Sequence, residues 1–330
     1  RRRLSGSVLR SRAVTNTILV VGSLAYDDVQ TPFDRRRNVL GGAACYFSFA
    51  SSLYAPVRLV GVVGDDFEQS DIDRVARKGV DVSGIERRPG RSFHWSGRYD
   101  YELGSAETLA TDLGVFATWR PEVPEAFRDS DLVFLANIHP EIQLEVLDQV
   151  RKPRLVALDS MNLWIDTQRD ALAKVMSRVD IVSLNEGEVR QFGRTFSVLR
   201  GAREILALGP RALIVKRGEY GAVLFTEAGS FWAPAFPLEK IQDPTGAGDS
   251  FAGGFLGYLA TCETPDDAHL RRAVIHGVVC ASFAVERFSV EGIEGLTRDR
   301  AAERYQALRD LVTIGAEAVA EDDPFAAVTR

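Results

Sequence analysis

The sequence predicts an α/β fold with a mostly parallel, doubly wound sheet and helices on both faces of that sheet. Short β-branched apolar runs alternate with helical patterns through most of the chain, which is typical of βαβ units. The apolar runs lie at 18–21, 58–63, 132–135, 155–158, 181–184 and 212–215. The helical patterns lie at 67–78, 141–150 and 167–178, and later at 246–261, 266–286 and 298–314. Ligands of such sheets bind at the C-terminal ends of the strands.

Two stretches break this alternation, at 29–40 and at 92–102, where the sequence reads SFHWSGRYDYE. Both have a strand-like pattern but lack the continuous apolar run of a strand buried on two faces. They are interpreted either as strands of a small accessory sheet that covers the site, a lid, or as an ordinary exposed hairpin. The pattern alone does not separate these alternatives.

The composition is that of an ordinary globular protein, with 330 residues, 45% of them apolar and 26% charged. One large domain is therefore expected. A formal net charge of -6 argues against a nucleic-acid surface. Cys45, Cys262 and Cys280 are scattered and form no CxxC pair, so neither a disulfide framework nor a zinc site is indicated, and a reducing cytoplasm fits. No apolar stretch reaches the length of a membrane span, and no membrane partner is expected.

The N-terminus has the outline of a signal peptide, because a basic segment precedes the apolar run TILVVGSLA. The run is short, contains Gly22 and Ser23, and continues into YDDVQTPF without a change of composition, so a buried first strand is predicted instead. We expect a disordered basic tail at 1–16, one domain at 17–314 and a C-terminal tail at 315–330.

The segment at 243–255, DPTGAGDSFAGGF, predicts a phosphate cradle. Gly246, Ala247 and Gly248 precede a helix expected to start near Asp249, and small residues let backbone N–H groups converge on an anion at a helix N-terminus. The spacing lacks the third glycine of a dinucleotide fingerprint, and the chain has no Gly-Lys pair for a Walker loop.

Asp249 is the informative residue of this segment. A carboxylate beside a phosphate site repels the bound phosphate, so its presence there indicates a chemical role. A base that takes a proton from an attacking hydroxyl has such a role. The alternative is a helix N-cap, a position that Asp commonly fills. This stretch alone leaves both interpretations open.

The whole pattern resembles the C-terminal signature of the PfkB family of ribokinase-like carbohydrate kinases, D-T-x-G-A-G-D-x-F. Further segments are similar to family segments in the expected order, so the resemblance covers about 17–314. They read GSLAYDD, LGGAACYFSFA, VGVVGDDF, SLNEGEVRQF and VKRGEYGA. The resemblance implies a ribokinase-like three-layer α/β/α sandwich with a small β lid, whose strands lie at about 28–40 and 92–103.

For the transferring phosphoryl group, the resemblance implies that Asp249 is the catalytic base and that the amides of Gly246, Ala247 and Gly248 form the anion hole. Positioning and charge stabilisation are most of what phosphoryl transfer needs.

For the nucleotide and its Mg²⁺, Asn185 and Glu188 match the family's N-x-x-E element, which holds Mg²⁺ and phosphate largely through water. A helix-start capping box is the alternative for this pair. Lys216 and Gly218 lie where the family contacts ATP phosphates; the alternative is an exposed lysine beside a glycine turn. His276 lies where relatives line the adenine pocket, and helix packing is an equal alternative.

A monovalent cation site is implied beside the anion hole. Asp243 and Thr245 match positions that contribute to such a site in several relatives, so K⁺ is a candidate activator. Pro244 stands where the family more often has threonine.

For the acceptor, the resemblance implies that Asp27 hydrogen-bonds sugar hydroxyls while Gly41 and Gly42 let the backbone approach the ligand. Asp28 could share or replace the role of Asp27. Tyr46 stands in place of an asparagine that contacts ribose in ribokinase, so free D-ribose is not the expected substrate.

Other acceptor contacts are left open by the sequence. The glutamate that ribokinase would have near Asn137 is not evident, and Asn137 is taken as a substrate-binding candidate. Aromatic side chains either stack on the acceptor or form the core of the lid: Tyr46, Phe93, Trp95 and Tyr99. Arg98 could meet an acidic acceptor, although a solvated face is the simpler interpretation.

The sequence is therefore interpreted as an ATP- and Mg²⁺-dependent kinase that phosphorylates a primary hydroxyl of a sugar or sugar derivative. A nucleoside kinase of the same family is the alternative. A non-catalytic sugar or nucleotide sensor is a third hypothesis, and the missing GxGxxG disfavours an NAD-dependent oxidoreductase. A small-molecule partner and a monomer, or a homodimer through the lid strands, are expected.

Overall fold

The structure is a computed structural model that describes residues 16–313 apart from 102 and 105. The tails predicted at 1–16 and 315–330 fall outside this range, except for Asn16. Within the described range, no helix is both long enough and apolar enough to cross a membrane.

A nine-stranded sheet forms the centre of the described chain. Its order is β13-β12-β11-β10-β9-β8-β1-β4-β5, and all neighbours are parallel except β11–β12 and β12–β13. These strands are β1 Ile18–Val21, β4 Val57–Val63, β5 Val80–Arg87, β8 Leu132–Leu135, β9 Leu155–Asp159, β10 Ile181–Asn185, β11 Ala212–Lys216, β12 Ala222–Thr226 and β13 Gly229–Ala233. The mostly parallel, doubly wound sheet is confirmed.

Helices cover both faces of this sheet and give the predicted three layers. They are α1 Ala43–Ser51, α2 Gln69–Ala76, α3 Pro140–Gln149, α4 Asn162–Thr167, α5 Arg169–Met176, α6 Glu186–Phe192, α7 Val198–Leu206, α8 Ala247–Ala260, α9 Asp267–Ala284, α10 Glu291–Glu294 and α11 Arg298–Val312. Side chains of β1 alternate between the two apolar cores, with Ile18 and Val20 in one and Leu19 and Val21 in the other. Because both faces of the strand are buried, the whole run is apolar.

The second sheet is the lid. It has four strands in the order β3-β2-β6-β7, with bounds β2 Ala25–Gln30, β3 Arg35–Gly41, β6 Phe93–Arg98 and β7 Glu107–Asp112. The stretch predicted at 28–40 is a hairpin of two strands, and β2 pairs in parallel with β6. An isolated hairpin is therefore the wrong interpretation, and an accessory sheet is the right one.

Several elements differ from the sequence prediction for physical reasons. β7 was missed because its sequence ETLATD is polar and exposed along its whole length. β5, β12 and β13 were missed because they lie at or near the sheet edges, and β5 and β13 lack a long apolar run. The helix predicted at 167–178 is broken at Gln168, whose backbone leaves the helical region between α4 and α5.

The chain direction reverses at the centre of the large sheet. From β1 the chain extends through β4 to β5 on one side, and it later returns to β8 on the other side. A crevice opens at the C-terminal ends of the strands at such a switch point. The lid strand β2 follows β1 after three residues, so the lid starts at this crevice.

Candidate active site

The Gly-rich loop is set by the left-handed conformation of Gly246, which has φ +73° and is the N-cap of α8. A residue with a Cβ is strained in that conformation. The helix therefore begins at Ala247 and places Asp249 in its first turn, at the third helical position. No side chain caps this helix, so the N-cap interpretation of Asp249 is wrong, and the helix starts two residues earlier than predicted.

The glycines of this loop permit close packing on both sides. A Cβ on Gly246 would lie 2.3 Å from ring atoms of Tyr46, and a Cβ on Gly248 would lie 3.0 Å from Nζ of Lys216. The loop is thus held between an aromatic ring of α1 and a cation of β11. It brings the peptide N–H groups of the loop close to a positively charged side chain.

The three predicted anion-hole amides are not equivalent. The amide of Ala247 donates to the carbonyl of Pro244 over 3.2 Å. In the described chain, the amides of Gly246 and Gly248 donate to no backbone acceptor. These two N–H groups, together with the positive end of α8, are the donors that an anion would meet first.

An ion pair that the sequence analysis missed lies next to this loop. Nζ of Lys216, at the end of β11, is 2.5 Å from Oδ2 of Asp159, at the end of β9. The Asp159 side chain is 3% exposed and the Lys216 side chain 18%, so the interpretation of Lys216 as a solvated lysine is wrong. The signal for Asp159 was present, since an acid that directly ends a buried run such as LVALD lies at the ligand-binding edge of the sheet.

Burial and charge act in opposite directions on this pair. Burial alone would lower the pKa of Lys216, but the neighbouring carboxylates of Asp159 and Glu188 raise it overall. For Asp159, burial raises the pKa, and Lys216 offsets only part of that effect. We therefore describe Lys216 as a cation held by carboxylates rather than as a free side chain.

Asn185 and Glu188 form the capping box that was the alternative to a metal role. Oδ1 of Asn185 accepts from the amide of Glu188 over 2.8 Å, and Oε2 of Glu188 accepts from the amide of Asn185 over 2.7 Å. Burial raises the pKa of Glu188 to about 7, with Lys216 acting against the shift. The box fixes Glu188 beside the ion pair, and each carboxylate oxygen keeps a lone pair for another partner.

Asp249 is half-buried beside the same groups. Burial raises the pKa of its carboxyl to about 7, Asp159 adds to the shift, and Lys216 opposes it. A carboxyl with a pKa near neutrality can accept a proton from a hydroxyl and release it again at physiological pH.

On the acceptor side, the structure distinguishes Asp27 from Asp28. Asp27 is buried, accepts from the amide of Gly42, and lies so close to Gly41 that a Cβ there would be 1.9 Å from Oδ2. Burial, then Asp243 and Asp249, raise the pKa of Asp27 well above its usual range. Asp28 instead accepts from the amide of Asn38 and faces His94 within the lid. Asp27 is therefore the candidate that faces the catalytic loop.

Asp243 ties the Gly-rich loop to the neighbouring chain. Its Oδ1 accepts from the amide of Thr245 over 2.8 Å and its Oδ2 from the amide of Ser289 over 3.1 Å. Ser289 has φ +57° and donates its hydroxyl to the carbonyl of Leu40 in β3. Thr245 shares a hydrogen bond of 3.1 Å with the hydroxyl of Tyr99. The loop is thus bonded to the lid at two points.

The remaining predicted residues fall into three situations. Asn137 accepts from Nε1 of Trp164, so its side chain is positioned just after β8. Gly218 has φ +57° in a short turn, which confirms the turn interpretation without testing a nucleotide role. The ring of His276 stacks between Tyr258 and Tyr305, with centroids 4.4 and 4.7 Å away. This packing is the alternative that the structure favours for His276.

The aromatic candidates behave differently from one another. Tyr46 is 1% exposed, and its ring packs against Gly246, so it lies directly beside the Gly-rich loop. Its contact with the acceptor stays a prediction. Phe93 stacks on Phe116, and Tyr99 belongs to a small core with Val29.

Arg98 and Trp95 complete the predicted lid residues. Arg98 is paired with Glu107 across two exposed strands, which is the solvated face expected of it. Trp95 is half-buried on the lid, where it packs against the small core around Tyr99.

Comparison with known proteins identifies the class of protein to which this chain belongs. Residues 11–293 match the family described as pfkB family carbohydrate kinase. A cytidine kinase of Thermococcus kodakarensis is 33% identical over 247 residues, covering 72% of this chain and 87% of that protein. An aminoimidazole riboside kinase of Salmonella typhimurium is 40% identical over 302 residues, covering 82% and 89%. The crystal structure of Methanocaldococcus jannaschii nucleoside kinase superposes with a TM-score of 0.71 at 22% identity, covering 89% of this chain and 99% of that one.

Fold and site together define a phosphotransferase with a ribokinase-like architecture. The chain belongs to the PfkB family of carbohydrate kinases, and it is an ATP-dependent carbohydrate or nucleoside kinase. The predicted family, fold class and enzyme class are confirmed. The comparisons decide the question of class in favour of a kinase over a sensor or an oxidoreductase.

The first prediction concerns the effect of the half-buried Asp249 on the free energy of unfolding. Because the folded state raises the pKa of Asp249 to about 7, the folded protein binds this proton more tightly than the unfolded chain does. The free energy of unfolding contributed by this group therefore falls as the pH rises from about 4 to about 7. We expect Asp249→Asn to be more stable than the parent above pH 7, by about 1 kcal/mol or roughly 2 °C in Tm, with the difference shrinking toward pH 4.

Thermal unfolding of both proteins at pH 5 and pH 8 checks this expectation. Asp73→Asn, at an exposed position of α2, is the matched control and should show no such pH-dependent gain. A loss of stability at pH 8 in Asp249→Asn would contradict the origin assigned to the pKa shift.

The second prediction concerns the ion pair of Asp159 and Lys216. Lys216→Met leaves a buried carboxylate without its cation, and we expect the free energy of unfolding to fall by about 3 kcal/mol or more. The double variant with Lys216→Met and Asp159→Asn removes that uncompensated charge and should recover most of the loss. Urea unfolding of the two variants measures the difference, and equal losses in both would show that the pair is not electrostatically coupled.

Proposed function

We propose that this protein transfers the γ-phosphoryl group of ATP to the 5′-hydroxyl of a neutral ribonucleoside or related riboside. The observation that carries the proposal is the placement of Asp249. It lies in the first turn of α8, three residues after Gly246, and its pKa is raised to about 7. This arrangement puts a proton acceptor beside a set of anion donors, which is what transfer of a phosphoryl group to a hydroxyl requires.

The choice of acceptor follows from charge and from relatives. Asp243 and Asp249 raise the pKa of Asp27, and all three carboxylates raise the pKa of Tyr46, so the acceptor side is rich in carboxylates. An anionic sugar would be repelled there, because Arg36 and Arg98 are already paired with Asp34 and Glu107. Two relatives that cover most of this chain are a cytidine kinase and an aminoimidazole riboside kinase, both kinases of ribosides. The carboxylate-rich acceptor side and these two relatives together favour a nucleoside over a simple sugar as the proposed acceptor.

The acceptor, the transferred proton and the phosphoryl group are each bound by different residues in the proposed reaction. The carboxylate of Asp27 accepts hydrogen bonds from the acceptor's hydroxyls while the backbone of Gly41 and Gly42 lies against it. Asp249 accepts the proton of the attacking 5′-hydroxyl as the new O–P bond forms, while the bond between the γ-phosphorus and the bridging oxygen breaks and ADP leaves with that oxygen. The amides of Gly246 and Gly248 hold the transferring phosphoryl oxygens, and the positive end of α8 stabilises their charge. These groups are fixed before substrate arrives, so they need little reorganisation during transfer.

Lys216 is proposed as a nucleotide-phosphate contact. Its ammonium group lies close to Gly248, where the anion-hole loop and the end of β11 meet. A lysine at this place acts as a point charge toward phosphate. The predicted contacts of Asn185 and Gly218 with nucleotide stay predictions, and His276 is proposed as a packing residue.

The residues present fit a magnesium ion that is bound mainly by nucleotide and water. In the described chain, no group of three His, Cys, Asp or Glu side chains comes together to hold a metal ion alone. Asp159 ends β9, and Glu188 lies in the first turn of α6, which follows the neighbouring strand β10. Burial raises the pKa of both carboxyl groups. Their oxygens would hold Mg²⁺ directly or through water, because Mg²⁺ prefers oxygen ligands and keeps several waters. When bound with ATP, the ion neutralises charge on the phosphates.

The third prediction tests the base and the acceptor together. Asp249→Asn should reduce turnover by roughly 10² to 10⁴, the usual contribution of a positioned general base, while MgATP binding persists. The measurement is ADP release across cytidine, adenosine, aminoimidazole riboside, ribose, fructose and sugar acids. We expect one or more ribosides to be the best acceptors. A best acceptor that is a free sugar would reject the riboside proposal while retaining the kinase.

The fourth prediction is the pH dependence of the parent enzyme. Asp249 must be ionised to accept a proton, so kcat/KM should rise with pH and level off above about pH 7. Below that value, it should fall about tenfold per pH unit. A pH–rate profile in the best acceptor checks this. A profile that stays flat down to pH 5 would contradict the assignment of Asp249 as the base.

We also propose K⁺ as a candidate activator, and the lid strands as the contact between two copies of the chain if the protein is a dimer. Both oxygens of Asp243 already accept backbone N–H groups, from Thr245 and Ser289, so its first role is to shape the loop. Each oxygen retains a lone pair that could meet a monovalent cation. ADP release with K⁺ replaced by tetramethylammonium tests the cation, and sedimentation distinguishes a monomer from a dimer.

A further inference from the structure

The inner face of the lid carries an aromatic surface whose orientation is fixed by a glycine. Three atoms of the Trp95 indole, Cη2, Cζ2 and Cζ3, lie 2.0–2.8 Å from where a Cβ of Gly97 would be. The six-membered ring therefore occupies the space that a side chain at position 97 would fill. Because Gly97 follows two residues later on the same strand face, the ring lies along the lid rather than standing away from it.

A hydrogen bond at the other end of the indole restricts its rotation. Nε1 of Trp95 donates to Oγ1 of Thr108 in the neighbouring strand β7, over 3.3 Å. Trp95 also packs against the small core formed by Val29, Tyr99 and Phe288. The side chain is half-buried, so part of the ring surface stays accessible. A ring that is held in one orientation loses little entropy when another flat group stacks on it.

The register of the lid strands puts this ring on the face of the acceptor site. Trp95 is the direct neighbour of Asp27 in the parallel pair of β2 and β6, so both side chains leave the sheet on the same side. Asp27 is close enough to Asp243 and Asp249 for their charges to raise its pKa. Tyr99, the residue directly after β6, hydrogen-bonds Thr245 of the Gly-rich loop. The face that carries Trp95 is therefore turned toward the catalytic loop.

The two side chains diverge along the lid and mark two subsites. The carboxylate of Asp27 lies over Gly41, which pairs with Ala25, whereas the indole lies over Gly97, which pairs with Val29. Those pairing positions are four residues apart on β2, which corresponds to roughly 13 Å. A single sugar ring at Asp27 would not extend over the indole. An acceptor with a polar sugar and a flat second ring would use both subsites.

We propose that Trp95, seated on Gly97, is the stacking platform for the heterocyclic base of a nucleoside whose ribose is held by Asp27. This inference rests on the proposed riboside kinase and adds the residue that distinguishes a nucleoside from a simple riboside. The indole presents a π face, which stacks on any base, so the platform selects for the presence of a base more than for its identity.

The experiment compares two acceptors that differ only in the base. Cytidine carries one, and methyl β-D-ribofuranoside does not. Base stacking contributes about 5- to 150-fold in affinity, as judged by alanine substitution. We expect Trp95→Ala to lower kcat/KM for cytidine by a factor in this range and to leave that for the methyl riboside within about twofold. Trp95→Phe should retain most of the cytidine activity, because a phenyl ring still stacks.

Two further variants separate stacking from a general loss of structure. Gly97→Val introduces a Cβ into the space of the indole and should displace the ring, reproducing the effect of Trp95→Ala with the tryptophan retained. Trp232→Phe is the matched control, because Trp232 is 62% exposed on the edge strand β13 and lies under Arg217, away from the lid. Thermal unfolding verifies that each variant is folded.

Equilibrium binding gives a readout that does not need turnover. Cytidine should quench tryptophan fluorescence in the parent and in Trp232→Phe but not in Trp95→Phe. Equal losses for both acceptors in Trp95→Ala, or no loss for either, would overturn the platform while the riboside kinase stands. If no nucleoside is phosphorylated, the proposed function fails. Quenching by cytidine that is lost in Trp95→Phe would then still support the stacking platform, and quenching that persists in that variant would overturn it. Absence of both turnover and binding would overturn the two together.

Discussion

The site depends on one lysine that lies close to several buried or half-buried carboxylates at the C-terminal edge of the parallel strands. Lys216 is held 2.5 Å from Asp159 and is influenced by Glu188 and Asp249, so one cation serves three acids. Without it, ionising these acids so close together would be far more costly. With it, burial can keep the pKa values of Asp249 and Glu188 near 7 while the chain remains folded. This balance leaves the site with two carboxyl groups whose pKa values lie close to neutral pH.

Backbone geometry makes this proximity possible. A parallel sheet brings the ends of β9, β10 and β11 to one edge, and α8 enters at the same edge through a left-handed Gly246. Any Cβ at Gly246 or Gly248 would intrude on Tyr46 or Lys216. The small residues of the signature therefore serve two purposes, since they expose N–H groups and also admit a cation and an aromatic ring.

Much of this could be predicted from the sequence, and the failures have physical causes. The parallel strands were predictable because strands buried on both faces must be apolar throughout, as in β1 and β8. Asp249 and Glu188 were found through short signatures whose residues are close in sequence. Asp159 was not, because its partner Lys216 lies 57 residues away and only the fold joins them. The sequence places an aromatic residue, Tyr46, near the ligand, but only the structure shows that its ring packs against Gly246.

The lid, which carries the proposed acceptor contact, is connected to the Gly-rich loop by hydrogen bonds. Tyr99 hydrogen-bonds Thr245, and Ser289, held in a left-handed conformation uncommon for serine, bonds both Asp243 and the carbonyl of Leu40. A displacement of either lid strand would therefore strain contacts of the loop that carries the anion hole. Asp27 lies in β2 of the same lid, so the carboxylate proposed to hold the acceptor belongs to the sheet to which the loop is bonded. The lid and the Gly-rich loop are thus joined by direct hydrogen bonds, so a change in the position of one is transmitted to the other.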